Sequence, residues 1–247
     1  MRIAALYDIH GNLPALEAVL DEVAELGVDR LVVGGDVVPG AFAVECLERL
    51  LSSPVPVEFI YGNGETGTLA YLAGETLDAI PAAAHDAVAW VGDRLPPEHA
   101  ERYAAWPLTL DIDVAGLGRV IFCHATPRNE VEVFTAHTPE ERVAPVLSGV
   151  SADVVVCGHT HMQFDRTVAK TRLINAGSVG MPFGECGAFW LLVDGASEAL
   201  ELRRTPYDYA AAEQAIQETG FPAPELFALV TPPPEETILE RFAAVAI

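Results

Sequence analysis

The chain has 247 residues, about half apolar and a fifth charged, with 36 acidic against 14 basic side chains and a formal net charge of −22. That composition supports a sizeable core and excludes wholesale disorder. The acidic field excludes a protein that tracks nucleic-acid polymers or anionic membranes, while a small anionic substrate needs something cationic in its site. The four cysteines (Cys46, Cys123, Cys157, Cys186) are far apart and form no Cys-x-x-Cys. They read as reduced, buried small hydrophobes. The apolar run before Asp8 is too short for a signal peptide, and no stretch reaches the ~18 uncharged apolar residues of a membrane span. The expected location is cytoplasmic.

In chain order, RIAALY (2–7) reads as a buried strand, and LPALEAVLDEVAELG follows with helical spacing, Pro14 near its start and Gly27 past its end. DRLVVGGD (29–36) is a strand, AFAVECLERLL (41–51) a helix and VEFIYGN (57–63) a strand. This alternation predicts a parallel sheet with right-handed crossovers. Residues 66–106 are alanine-rich and helical in pattern, broken at Pro81 and at Pro96 and Pro97. LTLDIDV (108–114) and RVIFCHA (119–125) read as a hairpin around Gly116 and Gly118. A helix (140–148), the strand DVVVCGH (153–159) and three β-like runs, QFDRTV, RLINAG and AFWLLVD, come next. ALELRRTPY adds a strand and YAAAEQAIQETG a helix. The expectation is a single domain, 1–205 as a core with two sheet-like halves and 206–247 as a helical extension. Its acidic tail would be a docking helix or a homo-oligomer contact.

The chemistry-bearing side chains fall just beyond the apolar β runs, where an open α/β sheet places its ligands. Asp8 and His10 follow the first strand, Asp36 ends the second and Asn63 the third; His124 follows RVIFC, and His159 and His161 follow DVVVC. Two carboxylates, four imidazoles and one amide, with no thiolate, suit a paired site for manganese, iron or zinc rather than a closed structural zinc site. Plainer readings exist for the pieces. Asp-x-His-Gly-Asn at 8–12 also suits a strand-to-helix turn capped by Asn12, and the acid at 36 could cap the next helix. IYGNGE could be turn chemistry alone. Gly-His-Thr-His at 158–161 is more specific. His85, His99 and His137 read as surface residues.

Taken together, DIHGN (8–12), GGDVVPG (34–40), GNGE (62–65), CHATPR (123–128) and GHTH (158–161), followed by INAGSVGMP (174–182), resemble the ordered motifs of the calcineurin-like metallophosphoesterases. The nearest likeness is to their small prokaryotic phosphodiesterase-type branch. The resemblance implies an αββα sandwich of two sheets. It implies two divalent ions, manganese first, with iron, zinc and nickel as alternatives. Asp8, His10 and His161 would bind one, Asn63, His124 and His159 the other, and Asp36 would bridge. It further implies catalytic roles for Asp36, His124 and Asn12, with Asn12 also holding the substrate phosphate and the backbone at Gly177 and Ser178 shaping the rim. A metal-activated hydroxide would attack a small phosphodiester in line. The departure is Gly64, where the family often carries a histidine that protonates the leaving oxygen, a role worth ~10²–10⁴-fold. Glu65 keeps the acid without that partner, and His124 or a water would have to substitute. The alternatives are a phosphomonoesterase or nucleotide pyrophosphatase on the same metal pair, or a metal- and phosphate-binding protein with little turnover.

Overall fold

The computed structural model describes residues 1–247 and is a four-layer α/β sandwich. The first half builds β1 (Arg2–Leu6), α1 (Leu13–Leu26), β2 (Arg30–Val33), α2 (Ala43–Leu51), β3 (Val57–Phe59), α3 (Asn63–Ala73), α4 (His85–Gly92) and α5 (Pro97–Ala105). The second half builds β4 (Thr109–Val114), β5 (Gly118–Cys123), α6 (Glu140–Val143), β6 (Val154–Cys157), β7 (Phe164–Val168), β8 (Thr171–Asn175), β9 (Ala188–Asp194), β10 (Ala199–Thr205), α7 (Tyr209–Glu218) and α8 (Glu235–Ala243). One sheet has the order β10-β9-β1-β2-β3 and the other β4-β5-β6-β8-β7. β1, β2 and β3 are mutually parallel, as are β5, β6 and β8, and the antiparallel strands lie on the flanks. The expected two-sheet α/β architecture is therefore present.

Strand alternation explains the layering. Ile3 and Ala5 of β1, and Tyr7 just past its end, point between the sheets, where they meet Phe122, Val154, Val156 and Ile174. Ala4 and Leu6 point the other way, into a core shared with Leu16, Val19, Cys46 and Leu47 of the covering helices. The second sheet repeats the scheme: Cys123, Val155, Cys157 and Leu173 face its outer cover. Because both faces of the central strands are buried, β6 reads as an uninterrupted apolar run. The C-terminal extension is not loosely attached, since Ala212, Ile216, Phe221 and Phe227 are buried in the same core as Leu6.

α1 starts where expected, with Asn12 Oδ1 accepting from the Ala15 amide and Gly27 closing the helix at φ 61°. The third strand is shorter than its apolar run suggests. Val57–Phe59 pairs with β2, and the chain turns early enough that Asn63 is the first residue of α3 rather than the end of a strand. Glu65 causes the early turn by reaching back to the Gly62 amide at 2.8 Å, which caps the helix start. The single expected helix at 140–148 is α6 followed by a 3₁₀ turn over Ala144–Leu147, consistent with Pro145 interrupting the α-helical ladder. No helix is long and apolar enough to cross a membrane.

Candidate metal centre

The carboxyl ends of β1, β2, β5 and β6 come together at one edge of the sandwich. Backbone hydrogen bonds zip the loops there: Asp8 N–H donates to Gly35 O (3.2 Å), His10 N–H to Asp36 O (2.9 Å) and Gly158 N–H to His124 O (2.8 Å). The Glu65 carboxylate, fully buried, accepts from the amides of Asp36 (2.9 Å), Val37 (2.9 Å) and Gly62 (2.8 Å). Glu65 thus fixes the backbone of Asp36 and Val37 against that of Gly62. The two sheets are joined directly as well, by the His159 amide donating to Asp8 Oδ2 at 2.9 Å. Gly158 permits that approach, since a β-carbon there would lie 2.5 Å from Asp8 Oδ2.

This network gathers the expected ligand atoms. Asp8, His10 and His161 form one group of converging donors and Asp8, Asp36 and His124 a second, each within 4.8 Å of one another. Asp36 faces both sides: Oδ2 is 3.6 Å from His10 Nε2 and Oδ1 is 3.6 Å from His124 Nε2. Asn63 Oδ1 lies 3.1 Å from His124 Nε2, and the His159 ring packs edge-on to that of His124 with centroids 5.1 Å apart. All seven side chains lie at this edge, but His159 stands outside both groups of converging donor atoms. Asp8 differs from expectation, because it stands in both groups and not only beside His10 and His161.

The donors fit a divalent cation. Three imidazoles have their Nδ1 atoms beside carbonyl oxygens, His10 at Pro39 (3.3 Å), His124 at Gly34 (2.9 Å) and His161 at Met181 (2.6 Å). A proton on Nδ1 satisfies each carbonyl and leaves Nε2 as the ring nitrogen that faces the cluster. His10 Nε2 and His161 Nε2 stand 3.3 Å apart, within reach of one shared proton or of one cation. Asp8 Oδ1 is buried with no hydrogen-bond donor. Burial, and then the neighbouring His161, push the His10 pKa down to about 3, so its imidazole is neutral and competent as a ligand. Burial and then Glu65 and Asp8 push Asp36 well above the usual carboxylate range. Burial would raise Asp8 too, but His161, His124 and His10 outweigh it and hold it low. No Arg or Lys side chain hydrogen-bonds to this cluster, and the nearby motif residue Arg128 is paired with Glu132 (2.8 Å).

Backbone strain collects at the same place. Asp8, His10, Asp36, His159 and His161 all have positive φ, between 46° and 65°, and only Ala169 and Glu198 share that property among non-glycine residues. Left-handed backbone costs ~1–2 kcal/mol per residue bearing a β-carbon and is eased in asparagine. We therefore expect His159→Asn to raise the melting temperature of chelator-treated protein by several degrees, at roughly 2–4 °C per kcal/mol for this size. Calorimetry should show weaker Mn²⁺ binding in the same variant. His159→Ala keeps the strain and should lose affinity without the gain in stability. Equal melting temperatures for the two would refute the strain argument.

Several sequence expectations are corrected. Asn12 is fully buried; its Oδ1 caps α1, and its Nδ2 donates to Gly180 O (2.9 Å) and Tyr207 Oη (3.2 Å). Both ends of its amide are engaged in these packing contacts. Gly177 and Ser178 are buried beneath the site rather than at its rim, with Ser178 Oγ donating to Asp8 O at 2.8 Å. Their role is to support the Asp8 loop. His99 is not a surface residue but 7 % exposed, with no hydrogen bond to either ring nitrogen and Glu48 at 3.7 Å. His137 is exposed as expected, and His85 is half-buried with Nε2 3.1 Å from Ile80 O.

Gly64 has a structural reason. Its amide donates to Asp36 Oδ1 at 2.7 Å, and a β-carbon there would lie 2.8 Å from the Val38 carbonyl carbon, closer still to its oxygen, and 3.0 Å from Asp36 Oδ1. The place a side chain would take is filled by backbone. Sequence reading missed Glu65 as the group that locks this loop, although the Gly-x-x-Glu spacing at 62–65 is a helix-cap signal that could have found it.

The carboxylates and imidazoles gathered at the strand ends of this two-sheet sandwich make a candidate metal site on an α/β fold. The chain belongs to the calcineurin-like phosphoesterase superfamily, whose domain matches residues 1–194. The uncharacterized protein MJ0912 of Methanocaldococcus jannaschii is 29 % identical over 237 residues, covering 89 % of this chain and 93 % of that protein. The fold is shared with the hypothetical protein PH1004 of Pyrococcus horikoshii OT3 (TM-score 0.78, 20 % identity, 93 % of this chain and 97 % of that one). It is shared also with a metallophosphoesterase from Sphaerobacter thermophilus (TM-score 0.71, 23 % identity, 93 % and 98 %).

Proposed function

We propose that this chain is a metal-dependent phosphodiesterase acting on small phosphodiesters. The observation that carries the reading is the convergence of donor atoms from Asp8, His10, Asp36, His124 and His161, with no arginine or lysine hydrogen-bonded among them. Asp8, His10 and His161 would hold one ion, and Asn63, His124 and His159 the second, with Asp36 between them. Two divalent ions bound there would supply polarisation of the phosphoryl oxygens and a lowered pKa for the attacking water.

The chain's own residues do the rest. Glu65 and the zipped loops hold the ligands in place before substrate arrives, so little reorganisation is needed. Asp8, Asp36 and His124 are almost fully buried, which confines substrate to the side where His159 is half-exposed. His124 is buried and held between Gly34 O and Asn63, and so is poorly placed to follow a departing group. With backbone filling the space at Gly64, the leaving oxygen takes its proton from water, which favours esters whose leaving oxygen is weakly basic. The acidic surface selects against long polyanions.

The expected result is hydrolysis of bis(p-nitrophenyl) phosphate with Mn²⁺, faster than of p-nitrophenyl phosphate, and lost on chelation. Elemental analysis should find two divalent ions per chain. A faster monoester reaction would favour a phosphomonoesterase. Two ions and tight phosphate binding with no turnover would favour the non-catalytic alternative, for which the occupied space at Gly64 is the specific argument.

A further inference from the structure

The family match stops at residue 194, yet the chain beyond it returns to the candidate metal centre. Gly184 N–H donates to Pro233 O at 2.9 Å, which anchors the start of the last segment on the loop between β8 and β9. The same loop carries Met181, whose carbonyl orients His161, and Phe183, whose ring stacks on that of His161 at 5.0 Å and 12°. Phe242 of α8 then packs edge-on against Phe183, at 6.4 Å and 62°. Past α8 the chain is pinned to the opposite bank: Ile247 N–H donates to Val133 O (2.9 Å) and Arg142 Nη2 to Ala246 O (2.6 Å). That bank is the loop that leaves His124, itself a candidate ligand, together with α6, which it runs into. The last segment therefore spans two loops that each touch a candidate ligand.

We propose that α8 is a wall of the active site, and that Phe183 and Phe242 are specificity-determining residues restricting it to phosphoesters with compact, uncharged substituents. The inference rests on the proposed function and adds to it the class of ester group accepted. Both rings are half-exposed, so they present an apolar face beside His161 instead of filling the core. A planar substituent wider than one ring meets Phe242. A substituent with a further phosphate meets Glu235, which lies seven residues before Phe242 on the same face of α8 and beside Gly184 of the β8–β9 loop. On the opposite bank Glu130 adds to the same sign, with Thr66 Oγ1 donating to it at 3.0 Å.

Phosphonates, whose P–C bond resists hydrolysis, test the wall without turnover. Calorimetry on the full-length Mn²⁺-loaded protein would compare methylphosphonate with 1-naphthylphosphonate, and the readout is the ratio of their dissociation constants. In Phe242→Ala the ratio should move toward the naphthyl compound by about tenfold, well resolved from error in affinity. Arg142→Ala, which frees the chain end, should shift it in the same direction, and Phe242→Trp in the other. Ratios within about twofold of wild type in all three variants, with unchanged melting temperatures, would overturn the wall. A wild-type protein that binds neither phosphonate and hydrolyses no ester would overturn the phosphodiesterase reading itself, an outcome distinct from binding with an unaltered ratio.

Discussion

Asp36→Asn should lower kcat on bis(p-nitrophenyl) phosphate by at least roughly 10³-fold, exceeding the usual loss of one transition-state-stabilising donor. At the same time it should raise the melting temperature of the chelator-treated protein. The two effects come from one cause. Asp36 is buried beside Asp8 and Glu65, and burial and these carboxylates push its pKa up. A carboxyl whose folded pKa is raised favours folding while protonated, and that contribution is lost as pH climbs from the ordinary carboxylate value through the raised one. Asparagine keeps Oδ1 for the Gly64 amide, held at 2.7 Å, and removes the charge. The stability gain should therefore be larger near about pH 8 than near about pH 4. Loss of activity together with a lower melting temperature would mean that Asp36 is structural and that the charge argument is wrong.

Gly64→His, the change that would restore the family's customary proton donor, should destroy function in this chain. Its β-carbon would collide with the Val38 carbonyl, and the obstacle is backbone that Glu65 holds through the Val37 amide at 2.9 Å. Overpacking of this kind costs typically ~1–3 kcal/mol, more where neighbours cannot move. At this size about 3 kcal/mol corresponds to a fall in melting temperature of roughly 6–12 °C. Displacing the loop also displaces Asp36, so Mn²⁺ affinity should fall with it. A Gly64→His variant that melts like wild type and turns over faster would show that the loop yields, and that glycine there is merely a lost side chain.

The fold was legible because its signals are local. Short apolar runs alternating with helical spacing announce parallel strands, and polar groups clustered after those runs announce the edge where they meet. The ligand candidates were legible for the same reason, each lying one to four residues past the end of a strand. Their supports were not. Asn12 finds its partners at Gly180 and Tyr207, and Ser178 finds its partner at Asp8, across most of the chain length. Nothing in the spacing of either segment reveals such a pairing. A buried polar residue that packs and one that binds substrate have the same letter, and only the count of satisfied hydrogen bonds separates them. His99 misled for a related reason: a lone histidine in a helix flanked by charged residues looks solvated, although the turn between α4 and α5 folds it inward.

The origin of the donors in the two layers carries a last consequence. Asp8, His10, Asp36 and Asn63 belong to the first sheet's loops, and His124, His159 and His161 to the second's. A cation held by both sets is a rivet through the sandwich, and its binding energy becomes cohesion between halves that otherwise touch at this edge through a few backbone bonds and Asp8. Removal of such an ion would then loosen the seam between the sheets as well as empty the site.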